Sequence, residues 1–491
     1  MARATVSRRK FLSRTAIAAG AVIAGPTLFD IEELLAQPSF VRPDVFLPAA
    51  VPHLNAYKTA INAMRALPAT NPISWAYQAA IHGTTVLPAK TAWNTCQHGN
   101  FFFLSWHRMY LYWFERIVRS KSGMTSWALP YWNYVPGTTA AQTDSRRLPL
   151  PFRSPANAAT NALFTPNRGG MNGGTPFNTT IADASGALTQ TAFTGPSVNF
   201  GGNNPGSGRL EQRPHNEVHV AVAGWMGNPQ TAAQDPIFWL HHANIDRYWN
   251  VWLKQGGGRA DPVGNATWRN TKFTFFRENG TQVQMTACDI LNASAQLNYT
   301  YQNEALPQVT QSCPKIIIPP ILVQKRPLRI PIPDPEMVID QARPVTRTMQ
   351  TKQVSADVMS EAKSAIASRD KHLVLDFGDV AADVQPGVIF EVWVGIEGVP
   401  NEKTPQVHHV GDIALFAQGV RSNMTHNDQP HNATFSFPLD EAIAPALSRG
   451  AANVNIVVIP RDPLEGGALK KPASPLHITK MSVSVEDTKQ P

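Results

Sequence analysis

Seven of the fourteen histidines stand in two short groups, and their spacing restricts the fold more than any other feature of the chain. His82, His98 and His107 form the first group; His215, His219, His241 and His242 form the second. His215 and His219 are four residues apart, so a helix puts both imidazoles on one face, within reach of one metal ion. The zinc-protease pattern H-E-x-x-H is absent, because Asn216 follows the first of the pair and Glu217 sits in its middle. The run Asp235-Pro-Ile-Phe-Trp-Leu-His-His-Ala-Asn-Ile-Asp246 predicts a helix that starts after Pro236 and presents His242 to the same ion. His241, the adjacent residue, is expected to point elsewhere in a supporting role. Asp246, one turn on, is expected to orient the helix or its neighbours. In the first group His107 lies in Leu104 to Val118, where aromatic and aliphatic residues recur at helical spacing. His98 is on the loop before it, and His82 ends the segment that begins at Ser74. Three neutral imidazoles per site, without thiolate or carboxylate, suit copper. Two such sites side by side let O2 bridge two copper ions.

The rest of the chain divides by pattern. At 491 residues it has room for two or three domains. Residues 40–302 are rich in Trp and His and carry further helical patterns, Glu211 to Trp225 and Phe238 to Leu253. Within them, Pro136 to Gly208 is dominated by Gly, Asn, Thr, Ser and Pro and predicts long loops. Residues 303–345 are proline-dense, in a chain with 41 prolines, and predict an extended linker. From 346 to 485, short β-rich runs such as Val388 to Val394 and Val454 to Ile459 alternate with turn residues. The fold expected is a mainly α domain holding the histidines, followed by a β-rich, sandwich-like domain.

Ser7-Arg8-Arg9-Lys10-Phe11-Leu12 and the Ala/Gly-rich stretch Thr15 to Leu28 read as a twin-arginine export signal within residues 1–36, too short to span a bilayer. The expectation is a protein exported by that route, periplasmic or secreted, with no membrane association in its mature form. The formal net charge of +8 is spread thinly, and part of it (Arg3, Arg8, Arg9, Lys10, Arg14) lies in the signal, so no nucleic-acid groove is indicated. Cys288 and Cys313 are close enough in sequence for a disulfide, or stand as two free thiols; Cys96 is left over. His408-His409 and His426 to His431 read as loop histidines at the surface rather than a third metal site.

The blocks His98 to Glu115 and Asp235 to Asp246, in this order, resemble the copper signatures of tyrosinases and catechol oxidases (polyphenol oxidases), the type 3 copper proteins. The resemblance runs from about residue 40 to the end, and the β-rich zone is similar to the domain that follows the catalytic one in plant members. It implies a four-helix bundle, with His82, His98 and His107 on one copper ion and His215, His219 and His242 on the other. It implies the O2-dependent oxidation of phenols and o-diphenols to o-quinones. It also implies a thioether bond from Cys96 to His98, and Glu211 with Asn216 as the pair that holds a water to take the phenol proton. Tyr299-Thr300-Tyr301 matches a motif that closes the domain against an arginine, here Arg42. Pro229, thirteen residues before His242, matches a position where plant members often carry a bulky Phe, and is expected to line a more open entrance. The C-terminal domain is expected to cover the site until it is cut or displaced. Two alternatives keep the same ligands: an o-aminophenol oxidase, and a non-catalytic O2 carrier like haemocyanin. The open position at Pro229, the Asn216 and Glu211 pair and the export signal favour an enzyme.

Overall fold

The computed structural model describes residues 40–135, 137, 145–196, 198–302, 312–313, 328–332, 334–350, 360, 364, 371–395, 407–420, 432–439 and 453–487. The export signal, much of the proline-rich stretch, and His426 and His431 lie outside these residues. The first half runs β1 (Phe40–Arg42), α1 (Ala50–Arg65), α2 (Trp75–His82), α3 (Phe103–Ser122), α4 (Glu217–Val222), α5 (Pro236–Lys254), the hairpin β2 (Phe273–Phe276) and β3 (Gln282–Met285), and β4 (Tyr299–Tyr301). Helix α3 is the central element. Every residue from Phe103 to Glu115 is buried, because its aromatic residues leave no polar face to turn to water. Gly123, at φ 71°, ends it in the left-handed conformation that glycine adopts without strain.

Helix α5 starts where the Asp235 side chain accepts the Ile237 N–H at 3.1 Å, with Pro236 in the first turn. The same carboxylate takes both arms of the buried Arg168 guanidinium (2.8 and 2.5 Å), which pins the long loop region onto the start of α5. The expected helix Glu211 to Trp225 is shorter and broken. Arg213 is extended (φ −144°, ψ 130°), since Pro214 disfavours helical backbone before it. The helix stops at Val222, after which Ala223 takes φ 59°. Gly224 then passes so close to Asn167 that a Cβ would lie 1.6 Å from its carbonyl oxygen.

β1 and β4 pair in parallel, Phe40 with Tyr299 and Arg42 with Tyr301, closing the domain's two ends on each other. Arg42 is buried. Its guanidinium lies 3.5 Å from the centre of the Tyr299 ring and donates to Tyr301 Oη at 2.8 Å and to Glu115 on α3 at 2.6 Å. Asp246 on α5 joins this network, accepting from Arg108 (2.5 Å), Tyr299 (2.5 Å) and Tyr301 (2.6 Å). Burial alone would raise this carboxyl, but Arg108, Arg42 and the two tyrosine hydroxyls hold it below its usual range. A disulfide joins Cys288 to Cys313.

The second half is antiparallel. One sheet has the order β10 (Val407–Ile413), β9 (Ile389–Gly395), β12 (Asn453–Arg461), β7 (Val345–Gln350). The other has β11 (Ala433–Pro438), β8 (Lys371–Ala381), β13 (Leu476–Asp487), β5 (Leu328–Pro331), with β6 (Met337–Ile339) also on β13. Leu375, Phe377 and Val483 of one sheet share a core with Val392, Val394, Ile456 and Val458 of the other, as a sandwich requires. β5 and β6 fall inside the stretch read as linker. Its described prolines sit where a strand can bear a missing donor: Pro331 ends β5, and Pro335 and Pro344 lie outside the strands. Among the described residues no helix is long and apolar enough to cross a membrane.

Candidate metal centre

Helices α2, α3, α4 and α5 and two short connections bring all seven histidines together. His82 ends α2, which begins with the Ser74 hydroxyl accepting the Tyr77 N–H (3.1 Å). His107 lies on the first turns of α3, His219 on α4, and His241 and His242 on α5, with His98 and His215 on the approaches. His82, Cys96, His98 and His107 each offer one ligand atom within 4.8 Å of the others, and so do His215, His219, His241 and His242. No third group of this kind occurs among the described residues, His408 and His409 included. Ring centroids are 5.2 Å apart for His98 and His107 and 4.6 Å for His215 and His219. The groups abut: His107 stacks on His242 at 4.3 Å, and His98 lies 5.6 Å from His215.

The outer edges of the rings are tied down. Nδ1 of His82, His107 and His219 meets the carbonyl oxygens of Pro229 (2.8 Å), Phe103 (2.8 Å) and Met226 (2.7 Å). Nδ1 of His215 meets Asn216 Oδ1 at 2.8 Å. A carbonyl only accepts, so Nδ1 carries the proton and Nε2 keeps its lone pair for the interior. His219 Nε2 faces His242 Nε2 at 3.3 Å, and His215 Nε2 is buried with no hydrogen-bond partner. Buried lone pairs aimed at each other cost free energy unless something cationic lies between them. Burial, reinforced by neighbouring imidazoles, holds His215 down to about 3 and His107, His219 and His242 well below the usual histidine range. The rings are neutral, as ligands must be. Imidazole nitrogens in two adjacent sets, without a carboxylate among them, fit a dicopper centre.

Cys96 Sγ lies 3.3 Å from His98 Nδ1 and 3.8 Å from its Nε2, so it faces the ring edge that holds Cε1. Burial and the nearby Glu211 push its thiol pKa well up, which keeps it from acting as a thiolate. Glu211 Oε1 accepts the Gly99 N–H at 2.7 Å while Oε2 is buried without a partner; burial raises this carboxyl to about 8. Gly99 itself needs its glycine, with φ 65° and the Gln418 side chain where a Cβ would go.

Two expectations change. His241 does not point away from the cluster: its Nδ1 lies 2.5 Å from Tyr134 Oη, and its ring is 5.3 Å from His215. The turn from His215 into α4 places that ring alongside both adjacent histidines of α5, so adjacency on the helix does not separate them. Pro229 does not line an entrance; it is buried behind His82, its carbonyl anchoring that ring. Gly83 allows this approach, since a Cβ there would fall 2.5 Å from the same oxygen.

Phe238 packs edge-on to His82 at 4.8 Å and against His242 at 4.2 Å. Above the second group lies Phe416, from the loop after β10, stacked on His219 at 3.8 Å and 16°. Phe416 is also 5.5 Å from His98 and 5.6 Å from His215, and is 1% exposed, so this loop of the C-terminal half packs directly against the histidines. No sequence motif marked this residue. The loop is held at both ends: Leu415 O accepts from Gln385, and Gly419 O accepts the Ala382 N–H at 2.6 Å.

Residues 72–255 match the common central domain of tyrosinase, and residues 263–314 match the polyphenol oxidase middle domain. A tyrosinase of Hahella sp. (strain CCB-MM4) is 42% identical over 43% of this chain and 48% of its own length. The latent form of a chloroplastic polyphenol oxidase of Prunus armeniaca is 33% identical over 43% of this chain and 39% of its own. The chain thus spans about half, or less, of the length of these curated relatives. In fold it is similar to recombinantly expressed latent aurone synthase, a polyphenol oxidase (TM-score 0.59, 21% identity, 92% of this chain and 90% of that one). It is similar also to latent apple tyrosinase (TM-score 0.58, 20% identity, 91% and 97%). All seven clustered histidines lie within the matched central domain, and this domain of the chain, residues 72–255, is that of the tyrosinase and polyphenol oxidase family.

Proposed function

We propose that this protein oxidises phenols and o-diphenols to o-quinones with O2. The observation that carries the reading is the pair of abutting histidine groups whose ring nitrogens converge, their outer edges tied to carbonyls. His82, His98 and His107 hold one copper ion, and His215, His219 and His242 the other; the Tyr134 hydroxyl keeps His241 beside the second set. Bound copper supplies the reduction of O2 and the two-electron oxidation of the ring, so that two catechols and one O2 give two o-quinones and two waters.

The chain's own residues do the rest. Glu211 takes the phenol proton at Oε2, its other oxygen fixed by Gly99. Asn216 sets the His215 ring through Nδ1. A thioether from Cys96 fixes His98. The sandwich is a shield: Phe416 occupies the face on which a phenol ring must stack, so the intact chain is latent until this loop is cut away or displaced. The twin-arginine signal exports the folded protein to the periplasm or beyond.

The experiment is O2 uptake and quinone absorbance on the copper-loaded full chain and its Phe416→Ala variant, with a monophenol, a catechol and an o-aminophenol. The reading expects quinone from the catechol, faster in the variant. Quinone imine from the aminophenol alone would reassign the substrate. A copper-replete, opened protein that consumes no O2 would overturn the proposal.

A further inference from the structure

The covering segment carries a carboxylate as well as a ring. Four residues before Phe416, Asp412 is buried and pairs with the Arg213 guanidinium. Arg213 stands two residues before His215, and its Nε reaches Glu217 Oε1 at 2.8 Å. Arg209 lies alongside: its Nη1 is 3.4 Å from Gln212 Oε1 and 3.7 Å from where a Cβ on Gly411 would stand. Burial and the charge of Arg213 bring Arg209 down to about 10, while Glu217 pulls the other way. Between ring and carboxylate the backbone also docks, Ala414 O accepting from Asn216 Nδ2 at 3.4 Å. The other Asp412 oxygen accepts from His409 Nε2 at 2.6 Å.

This one segment therefore sets an aromatic ring over the histidines and an anion on Arg213, with Arg209 beside Gly411. Four residues of chain span at most about 14 Å between Cα atoms, so ring and anion come from one short stretch of the same segment. When the segment leaves, Asp412 leaves with it. Two guanidiniums then face Glu217, whose carboxyl burial already pushes up, with Asp183 acting on it from a neighbouring turn. Two cations then stand against one carboxyl beside His215.

We infer that Arg213, aided by Arg209, selects phenols and catechols that carry a carboxylate on a flexible arm, and that Phe416 and Asp412 are the chain's own stand-ins for such a substrate. The inference rests on the phenol-oxidase reading above. It concerns binding alone; no bond forms or breaks at the arginines.

The test uses the copper-loaded full chain as Phe416→Ala, as Phe416→Ala with Asp412→Asn, and as both with Arg213→Gln. Each is assayed on dihydrocaffeate, a catechol with a propanoate arm, and on its uncharged amide. With Asp412 in place the acid and the amide should give similar kcat/KM. Asp412→Asn should raise the acid-to-amide ratio about tenfold, as a close charge pair across an interface can, and added salt should shrink the rise. Arg213→Gln should return the ratio to its starting value. Binding of dihydrocinnamate, which has no hydroxyl to oxidise, should follow the same order by calorimetry. A rise in both substrates alike on Asp412→Asn would mean that Asp412 only holds the shield down, and would overturn the inference. So would dihydrocinnamate binding indifferent to Asp412 and Arg213. If dihydrocinnamate binds in the expected order while neither catechol is oxidised, the anion site stands and the phenol-oxidase reading falls.

Discussion

Burial raises Glu211 to about 8 against the pull of the Gly99 N–H and the Ser207 hydroxyl, near the pH at which a general base works best. Glu211→Gln keeps an oxygen for the Gly99 N–H and removes the basic one. Its kcat/KM on an o-diphenol should fall about 10²- to 10⁴-fold, the usual worth of a positioned base, with copper content intact. Loss of copper alongside would instead assign Glu211 to holding the centre. Cys96 makes a sharper chemical prediction. A peptide spanning Cys96 and His98 from copper-loaded protein should be lighter by two hydrogens and resist thiol alkylation. A full-mass, alkylated peptide would show an ordinary thiol. At this scale the sequence was informative where residue type and spacing state a chemistry, as in the two histidine groups; Cys96 and Glu211 were named only through the family resemblance. It was mute where a residue acts through its backbone. Pro229 serves by its carbonyl, which any residue offers, so its side chain suggested a different place. His241 faces the cluster because the segment from His215 into α4 packs against α5, a contact that the pattern of α5 alone does not carry.

At the scale of elements, α5 is positioned by charge at both ends of its buried face. Asp235 grips Arg168 at its start, and Asp246 takes Arg108, Arg42 and two tyrosines further on. Asp246→Asn leaves two buried guanidiniums without their shared anion, and should cost about 3–5 kcal/mol of stability, read as a lowered denaturation midpoint. A midpoint unchanged from the native protein would contradict the role given to the network. Helices α3 and α5 were legible because their aromatic stripes and the Asp235-Pro236 start are local signals. The break at Arg213 and the stop at Val222 were less so. Pro214 marks the first, but the second depends on the meeting of Gly224 with Asn167, a contact between distant parts of the chain. The prolines of 303–345 suggested a linker, yet the sandwich recruits β5 and β6 from it by pairing both with β13.

At the scale of the whole molecule, the sandwich and the helical domain meet at the centre. Sequence order suggested a covering domain; it could not name Phe416 or Asp412, whose partners lie some two hundred residues away. Docking carries its own pH dependence. Burial, then Arg213 and Arg209, hold the docked His409 down to about 4, against 6.5 when free. Asp412 faces His409 and pulls the other way, but Arg213 already holds that carboxylate, and Trp393 adds a neutral ring 5.1 Å off. A group whose pKa is lowered by docking takes its proton more readily when undocked. Docking is therefore at full strength above about 6.5 and weakens as pH falls towards 4. Hydrogen exchange over residues 407–420 should quicken across that window in the native chain, and His409→Gln should flatten the change. Exchange that is flat in both proteins would remove His409 from the account.

The central claim is that the two histidine groups hold two copper ions that work together on O2. The most direct measurement is copper content and O2 uptake in one sample, the copper-loaded full chain opened by Phe416→Ala and given a catechol. The account predicts two copper ions per chain, with one O2 consumed for every two quinones formed. One copper ion or none, or two copper ions with no O2 consumed, would contradict it.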